Sequence, residues 1–175
     1  RGLAEALPFD DHSFGTAMAI LTIHHWTDPA AGLTEMARVA DRQVVFFFEQ
    51  DRIHGFWAID YFPDALSLPT EQHPPGERLL RQHLEVEAVR PVMIPRDCID
   101  GFGTAFWARP EEYLRPEVQA GMSWLAMLTP RQRQEGTQRL RDDLESGEWD
   151  RRLGHLRHQQ EFDGGYRIAI AGSHV

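Results

Sequence analysis

Two uninterrupted runs of hydrophobic residues flank an amphipathic segment near the start of the chain. Residues 16–23 (TAMAILTI) and 44–48 (VVFFF) do not alternate with polar residues, which predicts two strands covered on both faces. Between them, Asp28 can cap a helix in which hydrophobic residues recur at helical spacing as far as residue 40. With residues 41–43 as a polar link, this order predicts a parallel, right-handed βαβ unit.

Further along the chain, the pattern predicts mostly helices and two more strands. A strand over residues 86–94 is assigned to a sheet edge because Pro91 cannot donate a ladder hydrogen bond, and the last strand is expected over residues 166–171. Within residues 53–68, the part up to Pro63 is expected to be mostly helical. A turn is expected over residues 71–76 and a helix over residues 77–84. Further helices are expected to start at Pro110, Pro116 and Thr129, and a shorter helical segment is expected over residues 150–160. The predicted fold is a single α/β domain over residues 1–175, with residues 97–160 as a helical insertion before the last strand.

The composition excludes several classes of function. The 175 residues carry a net charge of −9, which repels nucleic-acid phosphate and anionic lipid, so neither nucleic acid nor a membrane is an expected partner. All 18 basic residues are arginine, which excludes Schiff-base chemistry and a P-loop lysine. The single cysteine, Cys98, cannot form an internal disulfide and suits a reducing compartment, so a cytoplasmic location is predicted.

Three short motifs surround the first predicted strand in a fixed order. AEALPFDDHSF (residues 4–14) precedes the strand, HHWTD (residues 24–28) follows it, and EMARV (residues 35–39) ends the predicted helix. This ordered set resembles the class I S-adenosylmethionine-dependent methyltransferases, in which such segments surround the fourth strand of a doubly wound, seven-stranded sheet. The resemblance implies a Rossmann-like sheet, S-adenosylmethionine as the cofactor and a small molecule as the methyl acceptor.

The resemblance also implies where the cofactor binds, because open α/β sheets bind ligands at the carboxyl ends of their parallel strands. In the family, the segment that matches Leu3 and Ala4 abuts the adenine. The implied cofactor-binding residues are Leu3, Ala4 and Glu5 at the adenine, and Thr22 and Ile23 at the methionine half. Leu3 stands where the family often has an acidic residue, which leaves adenine recognition to backbone groups and packing. The alternative is that residues 3–9 form only a surface loop.

His24 and His25 are the candidate catalytic residues, because an imidazole titrates near neutral pH and can accept a proton from the methyl acceptor. Consecutive residues that leave a strand point to opposite sides unless the chain turns there, so the two histidines are expected to differ in role, with His24 facing the cofactor and the other held by the protein. The alternative is that one of them caps a helix or packs against Trp26. No metal site is expected, because the histidines do not have helical i,i+4 spacing and no cysteine cluster accompanies them.

Later segments extend the resemblance to most of the chain. DCIDGF, WARPEEYL, DLESGEW and GYRI, which begin at residues 97, 107, 143 and 165, resemble an actinobacterial-type group of class I methyltransferases. In related folds such an insertion forms part of the acceptor pocket. The implied pocket residues are aromatic: Trp26, Phe56, Trp57, Tyr61, Phe102 and Trp107. The alternative is that these are core aromatic residues.

The family's first strand, its glycine-rich loop and the acidic residue that binds the ribose have no match in this sequence. The chain is therefore expected to be an N-terminally truncated methyltransferase, whether a fragment, a mis-started product or a relic, that lacks the first βα units. An unpaired sheet edge in such a chain would favour self-association, for example as a homodimer. The rival function is a cofactor-free Rossmann-like module with a binding or dimerisation role, and no fingerprint supports a nicotinamide oxidoreductase.

Overall fold

A computed structural model describes residues 2–68 and 75–172. The strands in this part of the chain are β1 (Phe14–Ile20), β2 (Ala40–Phe48), β3 (Val86–Pro91), β4 (Ile94–Pro95), β5 (Glu161–Phe162) and β6 (Tyr166–Ala171). The α-helices are α1 (Pro29–Val39), α2 (Glu77–His83), α3 (Pro116–Gly121), α4 (Ser123–Ala126), α5 (Pro130–Glu145) and α6 (Glu148–Leu153). Short 3-10 turns lie at Ile23–His25, Gln50–Gly55, Trp57–Asp60, Pro63–Ser67, Pro110–Leu114 and Gly154–His158.

The described residues form two compact units. The first comprises residues 2–50, 75–92 and 165–172, and the second comprises residues 51–68 and 93–164. The boundaries of the predicted insertion, residues 97–160, stay a prediction.

The first unit contains a four-stranded sheet in the order β1-β2-β6-β3. Strand β1 runs parallel to β2, whereas β6 is antiparallel to both β2 and β3. The predicted βαβ unit is thus confirmed, with α1 as the crossover helix. Helix α1 begins where Asp28 accepts a hydrogen bond from the amide of Ala31, as its capping role predicts. Strand β3, which contains Pro91, pairs with β6 alone in the described chain and so occupies the expected edge.

Helices α1 and α2 cover one face of this sheet. Leu33, Met36 and Leu80 from the helices pack against strand residues such as Val45 and Phe47 in one buried cluster. The opposite face of β1 is exposed, since Met18 retains 63% and Ile20 retains 59% of its accessible surface. The prediction that β1 is covered on both faces is therefore wrong. In the part of the chain that the structure describes, β1 pairs only with β2.

Two predicted boundaries in the first unit also differ from the structure. The predicted polar link over residues 41–43 belongs to β2, because pairing with β1 outweighs the polar composition, and the buried amide of Gln43 donates to the carbonyl of Ala40. The first strand ends at Ile20 instead of continuing to residue 23. It stops because Leu21 takes a left-handed backbone conformation with φ of 45°, which an extended strand cannot contain.

The second unit is helical around an aromatic interior. Helix α5 begins with a capping box in which Thr129 and Gln132 each accept a hydrogen bond from the other's backbone amide. Its expected start at Thr129 is confirmed, and so is the helix start at Pro116. The segment expected to be helical over residues 53–68 forms 3-10 turns, and that over residues 150–160 is divided between α6 and a 3-10 turn. Most of the turn predicted over residues 71–76 lies outside the described residues.

Among residues 2–68 and 75–172, none of the helices combines the length and hydrophobicity needed to cross a lipid bilayer.

Candidate functional site

The candidate site lies where the chain leaves the carboxyl end of β1. The amide of Leu21 donates to the carbonyl of Phe46 at 2.8 Å, which holds the strained left-handed residue against β2. Thr22 then leads into the 3-10 turn that carries the histidines. Backbone strain in a bulky residue is characteristic of functional sites, because the surrounding structure has to maintain it. The strain at Leu21 fixes the direction in which Thr22 and the histidines leave the sheet.

The predicted cofactor residues near the start of the chain form a tight turn. The amide of Ala6 donates to the carbonyl of Leu3 at 3.2 Å, and the side chain of Leu3 is 70% exposed. Ile23 has the opposite environment, since it is 1% exposed and packs in the core of the first unit. Leu3 therefore presents an apolar side chain at the surface, whereas any contact of Ile23 with a ligand would come from its backbone.

Glu5 is held by the segment that precedes α1. Its Oε1 atom accepts hydrogen bonds from the amides of Thr27 at 2.8 Å and Asp28 at 3.2 Å. The bond from Asp28 is the largest of the influences that lower the pKa of Glu5 below its ordinary value. The carboxylate thus acts as an additional cap at the amino end of α1, where a negative charge is favourable.

Glu35 and Arg38 hold the same loop from the other end of α1. Glu35 Oε2 accepts a hydrogen bond from the amide of Leu7 at 2.8 Å. Arg38 forms two bonds to the Glu35 carboxylate, from Nε to Oε1 at 2.7 Å and from Nη2 to Oε2 at 2.8 Å. These bonds lower the pKa of Glu35 to about 2, with Arg38 as the main cause and the Leu7 amide as the second.

Arg38 extends this contact along the loop. It donates to the carbonyls of Leu7 at 3.0 Å and Phe9 at 2.8 Å, and to the carboxylate of Asp11 at 2.8 Å. The bonds to Glu35 and then to Asp11 raise its pKa above the ordinary value. Because Arg38 belongs to the EMARV motif and its loop partners belong to the AEALPFDDHSF motif, the two motifs are in direct contact.

His24 and His25 lie side by side, with ring centroids 3.9 Å apart and ring planes tilted by 49°. The expectation that they point to opposite sides is wrong, because it assumed an extended chain, and residues Ile23–His25 form a 3-10 turn. Both rings reach solvent. Partial loss of hydration, followed by repulsion from His25, lowers the pKa of His24. His24 therefore favours the neutral form, which a general base needs. The catalytic assignment of either histidine stays a prediction.

Trp26 is half-buried and packs on α1. Its ring lies directly over Gly32, where the absence of a Cβ provides the space that it occupies. Trp26 directly follows His25 in the sequence, but its ring packs against the helix at Gly32. Its assignment to an acceptor pocket stays a prediction.

The aromatic candidates of the second unit pack against one another. Phe56, Trp57, Tyr61 and Trp107 are buried, whereas Phe102 is half-buried. The indole of Trp57 donates to the carbonyl of Trp107 at 2.8 Å. The phenol of Tyr61 donates to Asp143 at 2.7 Å, and burial, followed by this bond, raises its pKa. The polar atoms of Trp57 and Tyr61 are thus already engaged within the unit, and a pocket role for these residues stays a prediction.

Sequence reasoning did not identify the contacts of Glu35, Arg38 and Leu21. The helical i,i+3 spacing of Glu35 and Arg38 could have indicated their ion pair, but no local signal connects either residue to the loop. Among the described residues, no group of three His, Cys, Asp or Glu side chains is arranged to hold a metal ion.

Comparison with known proteins identifies the family. Residues 1–48 match the sequence model of a protein family that is described as a methyltransferase domain. The crystal structure of a protein from Anabaena variabilis ATCC 29413, provisionally named as a methyltransferase from an antibiotic biosynthesis pathway, is 34% identical to this chain with a TM-score of 0.86. That alignment covers 98% of this chain and 72% of the Anabaena protein.

The crystal structure of a protein from Bacillus halodurans C-125, also provisionally named as a methyltransferase, has 16% identity and a TM-score of 0.46, covering 97% of this chain and 73% of that one. No curated protein matches the sequence.

The chain has the mixed α/β, Rossmann-like fold of a class I methyltransferase, as the sequence predicts. At 34% identity over nearly its whole length, it belongs to the same methyltransferase family as the Anabaena protein.

Proposed function

We propose that this chain is part of an enzyme that transfers the methyl group of S-adenosylmethionine to a small-molecule acceptor. The observation that carries the proposal is the contact between the two family motifs. Glu5 binds the segment between the histidine turn and α1, and so holds the exposed turn at Leu3 there, whereas Glu35 and Arg38 hold residues 7–11 of the same loop against α1. The carboxyl end of β1 is the edge where open α/β sheets bind ligands.

The residues present fit one side of a nucleoside site. Leu3 offers an exposed apolar side chain for the face of an adenine ring, with Ala4 and Glu5 in the same turn. Thr22 lies at the end of β1, where the methionine half of the cofactor is proposed to bind, together with the backbone of Ile23. S-adenosylmethionine supplies an electrophilic methyl group, so this side of the site has to orient the cofactor toward the acceptor.

The histidines are the proposed source of a base. Methyl transfer is an in-line displacement, and a base is needed only if the acceptor has to lose a proton first. His24, with its lowered pKa, is predominantly neutral at pH 7 and can accept that proton at a ring nitrogen. Aromatic side chains of the second unit are proposed to contact the methyl acceptor: Phe56, Trp57, Tyr61, Phe102 and Trp107.

Upstream residues are proposed to complete the cofactor site. The chain spans 72% of the Anabaena protein, and the exposed face of β1 at Met18 and Ile20 is available for further elements. Alone, the chain would bind the cofactor weakly and would self-associate through this surface.

The later motifs support an actinobacterial-type member of the family, and the single cysteine supports a cytoplasmic location. The net charge of −9 argues against nucleic acid or a membrane as partner.

Calorimetry with S-adenosylhomocysteine tests the proposal on two forms of the protein, this chain and a form extended upstream. We expect micromolar binding by the extended form only, because the glycine-rich loop of the family lies upstream. Failure of the extended form to bind would overturn the function, and micromolar binding by the short form would overturn the truncation. The non-catalytic alternative is not favoured by the family relationship.

A further inference from the structure

We propose that Glu5 and Arg38 are positioning residues that preset residues 3–11 for the cofactor, and that neither of them is a cofactor ligand. This inference rests on the proposed function, because it concerns the loop that is proposed to bind the adenine. It assigns a function to charged residues of both motifs that does not require them to touch the reacting groups.

The hydrogen bonds of Arg38 leave no donor for a ligand. An arginine side chain has five N–H groups in a fixed planar arrangement. Nε and one N–H of Nη2 bind the Glu35 carboxylate, and the other N–H of Nη2 binds the carbonyl of Leu7. The two N–H groups of Nη1 bind the carbonyl of Phe9 and the carboxylate of Asp11. The guanidinium is therefore fully used in joining α1 to the loop.

Glu5 is engaged in the same way at the other end of the helix. Its Oε1 atom accepts from the amides of both Thr27 and Asp28, the residues that connect the histidine turn to α1. A negative carboxylate is favoured at this position by the amino end of an 11-residue helix. Turning Oε1 toward an adenine would leave two backbone amides without this acceptor, so this oxygen is retained for the backbone.

The two anchors act on opposite ends of one helix and on one loop. Glu5 fixes the turn that contains Leu3, and Arg38 fixes residues 7–11 further along. A loop that is ordered before the ligand arrives loses less conformational entropy on binding, which strengthens affinity without adding a contact. Loss of either anchor should therefore weaken cofactor binding and leave the acceptor and the chemical step unaffected.

Ligand binding to the full-length protein tests this with two probes, S-adenosylhomocysteine and S-inosylhomocysteine, which carries an oxo group in place of the adenine amine. The variants are Glu5→Ala, Glu5→Gln and Arg38→Lys. Glu135→Ala and Arg131→Ala are matched controls, since they remove one partner each from an exposed i,i+4 ion pair on α5. Lysine keeps the charge of Arg38 but cannot reproduce its planar arrangement of donors.

We expect Glu5→Ala and Arg38→Lys to weaken binding of both probes by about tenfold, the order of a lost charge-assisted hydrogen bond. Glu5→Gln should retain most of the affinity, because an amide oxygen still accepts from the two backbone amides. In turnover, the KM for S-adenosylmethionine should rise while kcat and the acceptor KM stay unchanged, and the controls should bind as the natural protein does. If Glu5→Ala weakens only S-adenosylhomocysteine, Glu5 contacts the adenine amine and the inference is wrong. Unchanged affinity in both variants would also overturn it.

Amide hydrogen exchange on this chain, without ligand, separates this inference from the proposed function. Glu5→Ala should accelerate exchange at Thr27 and Asp28, and Arg38→Lys should accelerate it at Leu7, because these amides lose an acceptor or its support. Unchanged exchange overturns the positioning role even if the enzyme is a methyltransferase. Absence of cofactor binding by the natural full-length protein overturns the proposed function instead, together with the cofactor part of this inference.

Discussion

Gly32 and the ring of Trp26 are in such close contact that a Cβ on Gly32 would lie 2.6 Å from the ring carbon Cζ3 and nearer still to Cε3. Replacing a glycine inside a helix by alanine ordinarily stabilises it by about 1 kcal/mol. At this position the overlap should outweigh that gain, since overpacking costs about 1–3 kcal/mol. We expect Gly32→Ala to lower the free energy of unfolding, measured by urea denaturation.

The same substitution in a Trp26→Ala background provides the control. Without the indole ring the new methyl group has space, and Gly32→Ala should then raise the free energy of unfolding by about 1 kcal/mol relative to Trp26→Ala alone. If Gly32→Ala destabilises both backgrounds equally, the contact with Trp26 is not the reason for the glycine.

The pKa of Glu35 predicts a dependence of stability on acid pH. Its folded pKa of about 2 lies below the ordinary 4.5, so the unfolded chain binds a proton more readily than the folded chain. The stabilisation is therefore complete above pH 4.5 and is lost as the pH falls toward 2. We expect the difference in free energy of unfolding between the natural chain and Glu35→Gln to be constant from neutral pH down to about 4.5 and to shrink below it. Loss of this difference at higher pH would contradict the Arg38 contact.

The histidine pair predicts a low pKa for one ring. Partial loss of hydration and the neighbouring His25 hold the pKa of His24 below 6.5, which NMR titration of its ring protons can measure. His25→Gln should raise this pKa because it removes the repulsion, whereas His83→Gln, on α2, should leave it unchanged. If His24 is the base of the proposed methyl transfer, the acid limb of its pH–rate profile should move to higher pH in the same variant. A pKa of His24 above 6.5 would contradict the environment described for it.

The left-handed backbone of Leu21 should make glycine more stable than alanine at this position after β1. With φ of 45°, an apolar side chain such as leucine is strained here, at a cost of about 1–2 kcal/mol. Leu21→Gly and Leu21→Ala both remove the side chain, but only the glycine relieves the strain. After allowing for the greater freedom of glycine in the unfolded chain, we expect Leu21→Gly to be the more stable of the two by about 0.5–1 kcal/mol. Equal stability would show that the backbone relaxes at this position.

The sequence predicts the parts of this structure that depend on local pattern. The parallel pair of β1 and β2, the capping of α1 by Asp28 and the edge position of Pro91 follow from hydrophobic spacing and from the chemistry of single residues. The end of β1 does not, because a left-handed leucine has no compositional signal. The contact of Arg38 with the loop cannot be predicted from local pattern either, since Arg38 and its partner Leu7 are 31 residues apart in the chain. Relations of this kind depend on tertiary structure, which the local pattern does not specify.

The polar contacts of the first 48 residues have an evolutionary consequence. Glu5 finds its partner 22 residues later and Leu7 finds its own 28 residues later, so the loop, β1 and α1 satisfy one another's charges and amides within one continuous stretch. These polar contacts can be inherited as a block, because substitutions elsewhere in the chain remove none of their partners. The match to a methyltransferase domain covers the same stretch, residues 1–48. The aromatic interior of the second unit contributes no partner to these contacts, so substitutions there leave the hydrogen bonds of the loop in place.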